Sequence, residues 1–137
     1  MNRSEALRRL SDAPVGHLAT VRPDGRPHVV VVTFTSVDGR IVTAVDQKPK
    51  TTHRLQRLVN LGNDPNVSFL ADHYDSDWSR LWWVRVDGMA TIWTDGEAYE
   101  RAVDALAAKY HQYVEDRPSG PVIAVQCDHI TSWASTP

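Results

Sequence analysis

The pattern of apolar and polar positions along the chain predicts a mainly β protein with helices at its periphery. Six segments have the alternation or β-branched content of strands: residues 16–22, 27–35, 41–45, 66–72, 81–93 and 121–130. Three segments have the apolar spacing of helices: residues 4–10, 51–61 and 96–113. Ser4 and Thr94 are the expected N-cap residues of the first and last of these helices.

The predicted order of elements is α-β-β-β-α-β-β-α-β. Tight turns at 23–25 and 38–39 join the first three strands, so these strands form an antiparallel meander. Strands of this number and length favour a small closed or split β-barrel covered by helices. No repeat or linker composition divides residues 1–137, and one domain is expected.

Composition and charge narrow the class of protein. Hydrophobic residues make up 42% of the chain, and the formal net charge of −2 gives no reason to expect nucleic acid or an anionic membrane as a partner. Cys127 is the single cysteine, which precludes an intrachain disulfide. No window approaches the ~20 apolar residues of a membrane span. The N-terminal segment is charged rather than apolar. A cytoplasmic protein is therefore expected.

The sequence offers no obvious catalytic machinery of its own. It has no Gly-x-Gly-x-x-Gly segment and no phosphate-binding Gly-x-x-x-x-Gly-Lys-Ser/Thr segment. The six histidines are scattered without the spacing of metal ligands, and no metal site is predicted. If the protein is an enzyme, a cofactor is expected to supply the chemistry.

The strongest local feature is the segment 46–54, Asp-Gln-Lys-Pro-Lys-Thr-Thr-His-Arg, between a strand end and a helix start. Two of the three lysines in the chain, Lys48 and Lys50, lie here, followed by Thr51 and Arg54. Cations and hydroxyls at a helix N-terminus suit a phosphate group. The residues alone fit equally well with two solvated lysines and a threonine N-cap.

A second feature is the tryptophan-rich strand that contains Trp82, Trp83 and Arg85. Alternation places Trp82 on one face of the sheet and both Trp83 and Arg85 on the other. A tryptophan on the outer face indicates a subunit interface, a ligand contact or an isolated surface side chain. The valine run 29–32 is most simply a core strand, although such a strand can also line a planar ring.

These segments resemble the pyridoxamine 5′-phosphate oxidase-like split-barrel superfamily. The resemblance is carried by residues 15–21, 23–30, 44–51, 58–61, 64–67, 72–74 and 77–85. It is greatest to the actinobacterial branch of deazaflavin-dependent enzymes. One departure is that Lys-Pro-Lys-Thr (residues 48–51) stands where the vitamin-B6 oxidases have Ser-Arg-Lys, so pyridoxal phosphate synthesis is not expected.

The resemblance implies a six-stranded antiparallel split β-barrel that forms a homodimer, with two cofactors bound between the subunits. The cofactor would be the deazaflavin coenzyme F420, with FMN as the alternative, and the activity would be hydride transfer to or from a small substrate. A non-catalytic flavin carrier is a further alternative. No catalytic residue is assigned. The cofactor-binding residues that it implies are Val29, Val30, Val31, Val32, Thr43 and Ala44 beside the ring, Lys48, Lys50, Thr51 and Arg54 at the phosphate, and Trp82, Trp83 and Arg85 as a wall from the second subunit.

Overall fold

A computed structural model of the chain describes residues 1–45 and 55–136. The strands in these ranges are β1 (Gly16–Val21), β2 (Pro27–Val32), β3 (Thr35–Val37), β4 (Arg40–Ala44), β5 (Asn66–His73), β6 (Trp82–Trp93), β7 (Val122–Gln126) and β8 (His129–Ala134). The helices are α1 (Arg3–Asp12), α2 (Gln56–Asn63), α3 (Glu97–Lys109) and α4 (Gln112–Glu115), with a short 3-10 turn at Trp78–Arg80.

The strands form one antiparallel sheet in the order β2-β1-β5-β6-β7-β4-β3, and β8 also pairs with β6. The twelve-residue strand β6 joins the two halves of the sheet. Its first part pairs with β5 and β8, and residues 90–93 pair with β7. Gly88 lies at the changeover, where a Cβ atom would be 1.8 Å from the carbonyl oxygen of Gln126. Only glycine permits this close approach of two backbones.

Two apolar clusters hold the sheet together. The larger cluster fills the inside of the barrel, where Phe34 and Phe69 are fully buried with their ring centroids 4.6 Å apart. In the smaller cluster, Val103 and Leu106 of α3 pack against the opposite faces of β4 and β7. Strands β4 and β7 are therefore buried on both sides, which explains why they read as continuous apolar runs.

The expectation of a mainly β, antiparallel fold with peripheral helices is confirmed, but the expected number of six strands is wrong. The predicted strand 27–35 is interrupted by Thr33 and Phe34. Phe34 is tied at both its N–H (3.0 Å) and its carbonyl oxygen (2.9 Å) to the Tyr110 hydroxyl. The predicted strand 121–130 is divided at residues 127–128 into β7 and β8, which pair with different parts of β6. Phe34 stays buried at the first break, so periodicity does not reveal it. At the second break the polar residues Gln126, Asp128 and His129 interrupt the apolar run, but Ile130 beyond them extended the predicted strand.

The helix boundaries also differ from the prediction. Asn2 rather than Ser4 caps α1, and its side chain accepts the Glu5 N–H at 2.9 Å. Helix α3 begins after Gly96, which has a φ of 99°, without the predicted threonine cap. The predicted helix 96–113 ends at Lys109, since Tyr110 is extended and bonds with its hydroxyl to the carbonyl oxygen of Pro14. No helix in the described ranges is both long and apolar enough to cross a bilayer.

Candidate functional site

The first part of β6 presents different side chains to its two faces, as its alternation predicts. Val84 and Val86 are fully buried inside the barrel, and Trp82 packs against the same cluster. Trp83 and Arg85 point to the opposite side, which we call the outer face. The alternation of β6 thus places an indole and a guanidinium side by side outside the core.

The register of the five strands β2, β1, β5, β6 and β8 extends this outer face across more than half of the sheet. One row of paired residues consists of Val31, His17, Leu70, Arg85 and Thr131. The next row consists of Val29, Ala19, Ser68, Asp87 and His129. The exposed fractions of Val29, Val31, Leu70 and Trp133 are 62%, 63%, 37% and 44%. Several large apolar side chains that remain exposed on one face are typical of an interaction surface.

The valine run 29–32 is divided between the two faces. Val30 and Val32 pack against the barrel core, and Val32 is only 7% exposed. Val29 and Val31 lie on the outer face. Because alternate strand residues point to opposite sides, only Val29 and Val31 can offer side chains to a ligand or partner on the outer face.

At one end of the outer face lies a cleft of about 440 Å³, which we call the tryptophan cleft. Trp82, Trp83 and Trp133 form much of its wall, together with Leu70 and Leu81. Asp72, His73, Tyr74 and Arg85 complete the lining. The imidazole ring of His73 is stacked on Trp82 at a centroid distance of 6.4 Å and an angle of 18°. All three predicted residues of β6 therefore meet in one cavity.

The charged groups around the tryptophan cleft are largely paired. Arg85 Nε donates to Asp87 Oδ2 at 3.2 Å, and its guanidinium lies 5.9 Å from the ring centre of Trp83. The second oxygen of Asp87 accepts the Ser68 hydroxyl at 2.5 Å. His73 Nε2 is 3.6 Å from Asp75 Oδ2. The cleft is consequently an aromatic surface edged by fixed polar groups.

Thr43 and Ala44 lie far from this cleft, at the end of β4. Their exposed fractions are 2% and 8%. Ala44 borders a second, more polar cavity of about 230 Å³, which Tyr113 and Arg117 also line. Ala44 pairs with Val122, and Val122 pairs with Trp93 at the end of β6 opposite to Trp82. At about 3.3 Å per residue, these two ends are separated by roughly 35 Å along the strand.

The four residues proposed for the phosphate, Lys48, Lys50, Thr51 and Arg54, lie outside the described residues. The structure does describe a cluster of two arginines and a histidine, which sequence reasoning missed. It consists of Arg22 at the end of β1, His28 on β2 and Arg57 in the first turn of α2. Burial, with the charges of Arg22 and Arg57, lowers the pKa of His28. Only the tertiary fold brings these three positions together, and no sequence spacing signals them.

The surroundings of His28 fit an anion. Its Nδ1 atom is buried and has no hydrogen-bond partner among residues 1–45 and 55–136. His28 pairs with Thr20, whose hydroxyl accepts the Asn60 amide of α2 at 2.8 Å. Two arginines, an unsatisfied buried nitrogen and a nearby helix start are properties that favour the binding of a phosphate. The residues present therefore fit the phosphate end of a flavin-type cofactor.

Comparison with known proteins identifies the family. The family model described as pyridoxamine 5′-phosphate oxidase matches residues 3–134. The chain belongs to this family. The superfamily that the sequence resembles is thus confirmed, and the split-barrel fold of the family agrees with the observed antiparallel sheet. A search of curated proteins found no match.

Three solved structures illustrate the breadth of proteins with this fold. A conserved hypothetical protein from Mycobacterium tuberculosis is 26% identical, with a TM-score of 0.81 over 98% of this chain and 86% of that one. The FAD binding protein from Mycobacterium smegmatis is 20% identical, with a TM-score of 0.71 over 97% and 94%. The heme storage protein HutZ from Vibrio cholerae is 15% identical, with a TM-score of 0.73 over 96% and 90%. At 20% and 15% identity, the similarities to the FAD binding protein and to HutZ establish the fold alone.

Proposed function

We propose that the protein is a homodimeric oxidoreductase that binds a flavin-type carrier between its subunits and exchanges a hydride with a small substrate. Coenzyme F420 is the proposed carrier, because the sequence resembles the deazaflavin-dependent branch of the family, and FMN is the alternative. The observation that carries the proposal is the outer face, where an unpartnered apolar surface leads into a cleft walled by three tryptophans.

The phosphate of the carrier would be held at the start of α2. Lys48, Lys50, Thr51 and Arg54 are the proposed direct contacts. Arg22 and Arg57 would add positive charge behind them, and both lie close enough to His28 for their charges to lower the pKa of its imidazole. The buried Nδ1 of His28 gains a partner if it becomes protonated and faces an anion.

The ring of the carrier would lie beside Val29, Val30, Val31, Val32, Thr43 and Ala44 of one subunit. Val30 and Val32, whose side chains face the core, would offer backbone groups only. In the same subunit, Ala44 of β4 is aligned through Val122 with the Trp93 end of β6, whereas Trp82 lies at the other end. A second subunit is therefore proposed to bring its tryptophan cleft to the ring. In this arrangement Trp82, Trp83 and Arg85 of the partner subunit wall the far side of the site.

A symmetric dimer through the outer face would satisfy both requirements. The face contributes the same exposed side chains from each subunit, as a twofold interface requires. When bound, the carrier supplies the hydride. The contribution of the chain is to position the reactants and exclude water, for which valine and tryptophan walls are suited.

A non-catalytic flavin carrier is the second candidate. The names of two similar structures, an FAD binding protein and a heme storage protein, record binding rather than catalysis. The two candidates share the site and differ in turnover. Oxidation of the bound, reduced carrier by added acceptors at a rate above that of the free carrier supports the oxidoreductase, whereas protection from oxidation supports the carrier protein.

Fluorescence titration of cofactor-free protein with FMN and with F420 tests the proposed phosphate contacts. Lys48→Ala with Lys50→Ala removes two charge-assisted contacts of about 1.5–3 kcal/mol each, so affinity should fall by roughly a hundredfold or more. The melting temperature should stay within about 1 °C. The control is Arg8→Ala with Arg101→Ala, which removes two exposed cations elsewhere and should leave affinity unchanged. Equal affinity of the lysine variant and the wild type would refute the phosphate assignment.

A further inference from the structure

We infer that the tryptophan cleft is the substrate site and that it takes a flat, neutral, conjugated compound carrying an acceptor oxygen. This inference rests on the proposed function, since it assigns the reactant that the carrier would meet. It differs from the proposed function in naming the chemical class from the cleft itself.

The size and walls of the cleft determine the shape of its ligand. A volume of about 440 Å³ lies within the roughly 300–1,000 Å³ of small-molecule sites. Trp82, Trp83 and Trp133 supply extended π surfaces, and such surfaces bind flat rings by offset stacking or edge contacts. A flat, aromatic ligand of two or three rings is therefore favoured over a flexible or saturated one.

The charges of the cleft favour a neutral ligand. Arg85 is already paired with Asp87, and the carboxylate of Asp72 lines the same cavity. The two carboxylates offset the positive charge of Arg85, so an anionic ligand gains little net attraction from the cleft. Because Nε of Arg85 is the atom engaged by Asp87, the remaining N–H groups of its half-exposed guanidinium can donate to a neutral oxygen.

The rim of the cleft is held in place before any ligand binds. Asp77 caps the 3-10 turn by accepting the Ser79 N–H at 3.1 Å. The Thr136 hydroxyl donates to the Ser79 carbonyl at 2.6 Å, and the Ser135 hydroxyl donates to the Leu81 carbonyl at 3.2 Å. A preformed rim lowers the ordering cost of binding.

A flat conjugated compound also matches the proposed chemistry. Two-electron reduction of a conjugated carbonyl requires one hydride at carbon, which the reduced carrier supplies, and one proton, which water supplies. The carrier is oxidised by two electrons and the substrate double bond is reduced. Stacking against the tryptophan wall would hold the plane of the substrate parallel to the carrier ring on its other side, with the acceptor carbon facing that ring.

The test is calorimetric binding of three probes of similar size to cofactor-free protein. The probes are 2-acetylnaphthalene, which is flat and has an acceptor oxygen, 2-ethylnaphthalene, which lacks the oxygen, and 2-acetyldecalin, which is not aromatic. We expect 2-acetylnaphthalene to bind most tightly. Loss of the oxygen should weaken binding about tenfold, and loss of aromaticity should weaken it roughly three- to tenfold. Equal binding of all three probes would overturn the inference.

Two variants with matched controls locate the binding. Trp133→Leu should weaken 2-acetylnaphthalene roughly three- to tenfold, while Trp93→Leu, at the far end of β6 and outside the cleft lining, should not. Arg85→Gln should reduce the preference for the acetyl probe over the ethyl probe, while Arg101→Gln, which removes another aspartate-paired arginine, should preserve it. Unchanged binding in Trp133→Leu, or an unchanged preference in Arg85→Gln, would refute the assignment.

Repeating the titration with FMN or F420 present separates this inference from the proposed function. A substrate site predicts that the probe and the carrier bind together. Strict competition would overturn the substrate assignment, because the cleft would then be the seat of the carrier ring. Probe binding without any carrier binding would instead contradict the proposed function, and carrier binding without probe binding would contradict only the inference.

Discussion

Replacement of Val31 by aspartate should dissociate the proposed dimer. Val31 is 63% exposed in the single chain and lies near one edge of the outer face. Full burial of a valine stabilises by about 1.5–3 kcal/mol, so covering its remaining two-thirds contributes about 1–2 kcal/mol. A twofold interface contains the residue twice, which gives about 2–4 kcal/mol, and the buried carboxylate adds its own desolvation cost.

This loss corresponds to a dimer dissociation constant raised by a factor of about 30 at least. Sedimentation velocity over a dilution series from about 100 μM to 0.1 μM measures the constant directly. Val114→Asp is the matched control, because Val114 is 64% exposed but lies on α4, away from the outer face. An unchanged dissociation constant in Val31→Asp, or equal weakening by both variants, would refute the assignment of this face to the interface.

Three further predictions concern the fold and its titrating groups. Gly88→Ala should destabilise the protein by about 1–3 kcal/mol or more in urea unfolding, because its Cβ would overlap the Gln126 carbonyl. The control, Gly62→Ala in α2, has open space around the new Cβ and should stabilise by about 0.5–1 kcal/mol. A tolerated Gly88→Ala would contradict the close approach of the two backbones. The pKa of His28 is lowered from 6.5 in the folded state, so cofactor-free protein should lose stability as the pH falls below 6.5. His28→Gln should reduce that loss. Equal pH dependence of the free energy of unfolding in the wild type and in His28→Gln would refute this role of His28. Burial lowers the pKa of Lys109 from 10.5 to about 8, so the free energy of unfolding should rise as the pH increases from about 8 to 10.5. If Lys109→Met shows the same rise with pH as the wild type, another group is responsible.

Local alternation predicted the faces of β6 correctly, because a strand that is buried on one side has an apolar, inward-facing side chain at every second residue. The same reasoning failed at residues 127–128, where Cys127 and Ile130 extended the predicted strand past the exposed Asp128. It also failed at Phe34, where the chain turns a corner of the barrel without leaving the apolar core. A pattern of hydrophobic positions records burial, and burial is continuous around such a corner. The number of strands therefore required the three-dimensional pairing.

The candidate site was predictable only in part for a related reason. Trp82, Trp83 and Arg85 are neighbours in the sequence and share a cleft in the structure. The cluster of Arg22, His28 and Arg57 is assembled from a turn, a strand and a helix, and no local spacing encodes it. The lysine segment 46–54 remains a prediction from sequence, since it lies outside the described residues.

Complementation between two defective subunits tests the claim that each cofactor site is built from both chains. One subunit would carry Lys48→Ala with Lys50→Ala, and the other Trp82→Ala with Arg85→Ala, with different affinity tags so that the mixed dimer can be purified. If the sites are shared, one of the two sites in the mixed dimer is intact, and the mixed dimer should oxidise the reduced carrier with an added acceptor at about half the wild-type rate, while neither parent homodimer does so. A mixed dimer that turns over no faster than its parents would contradict the shared site.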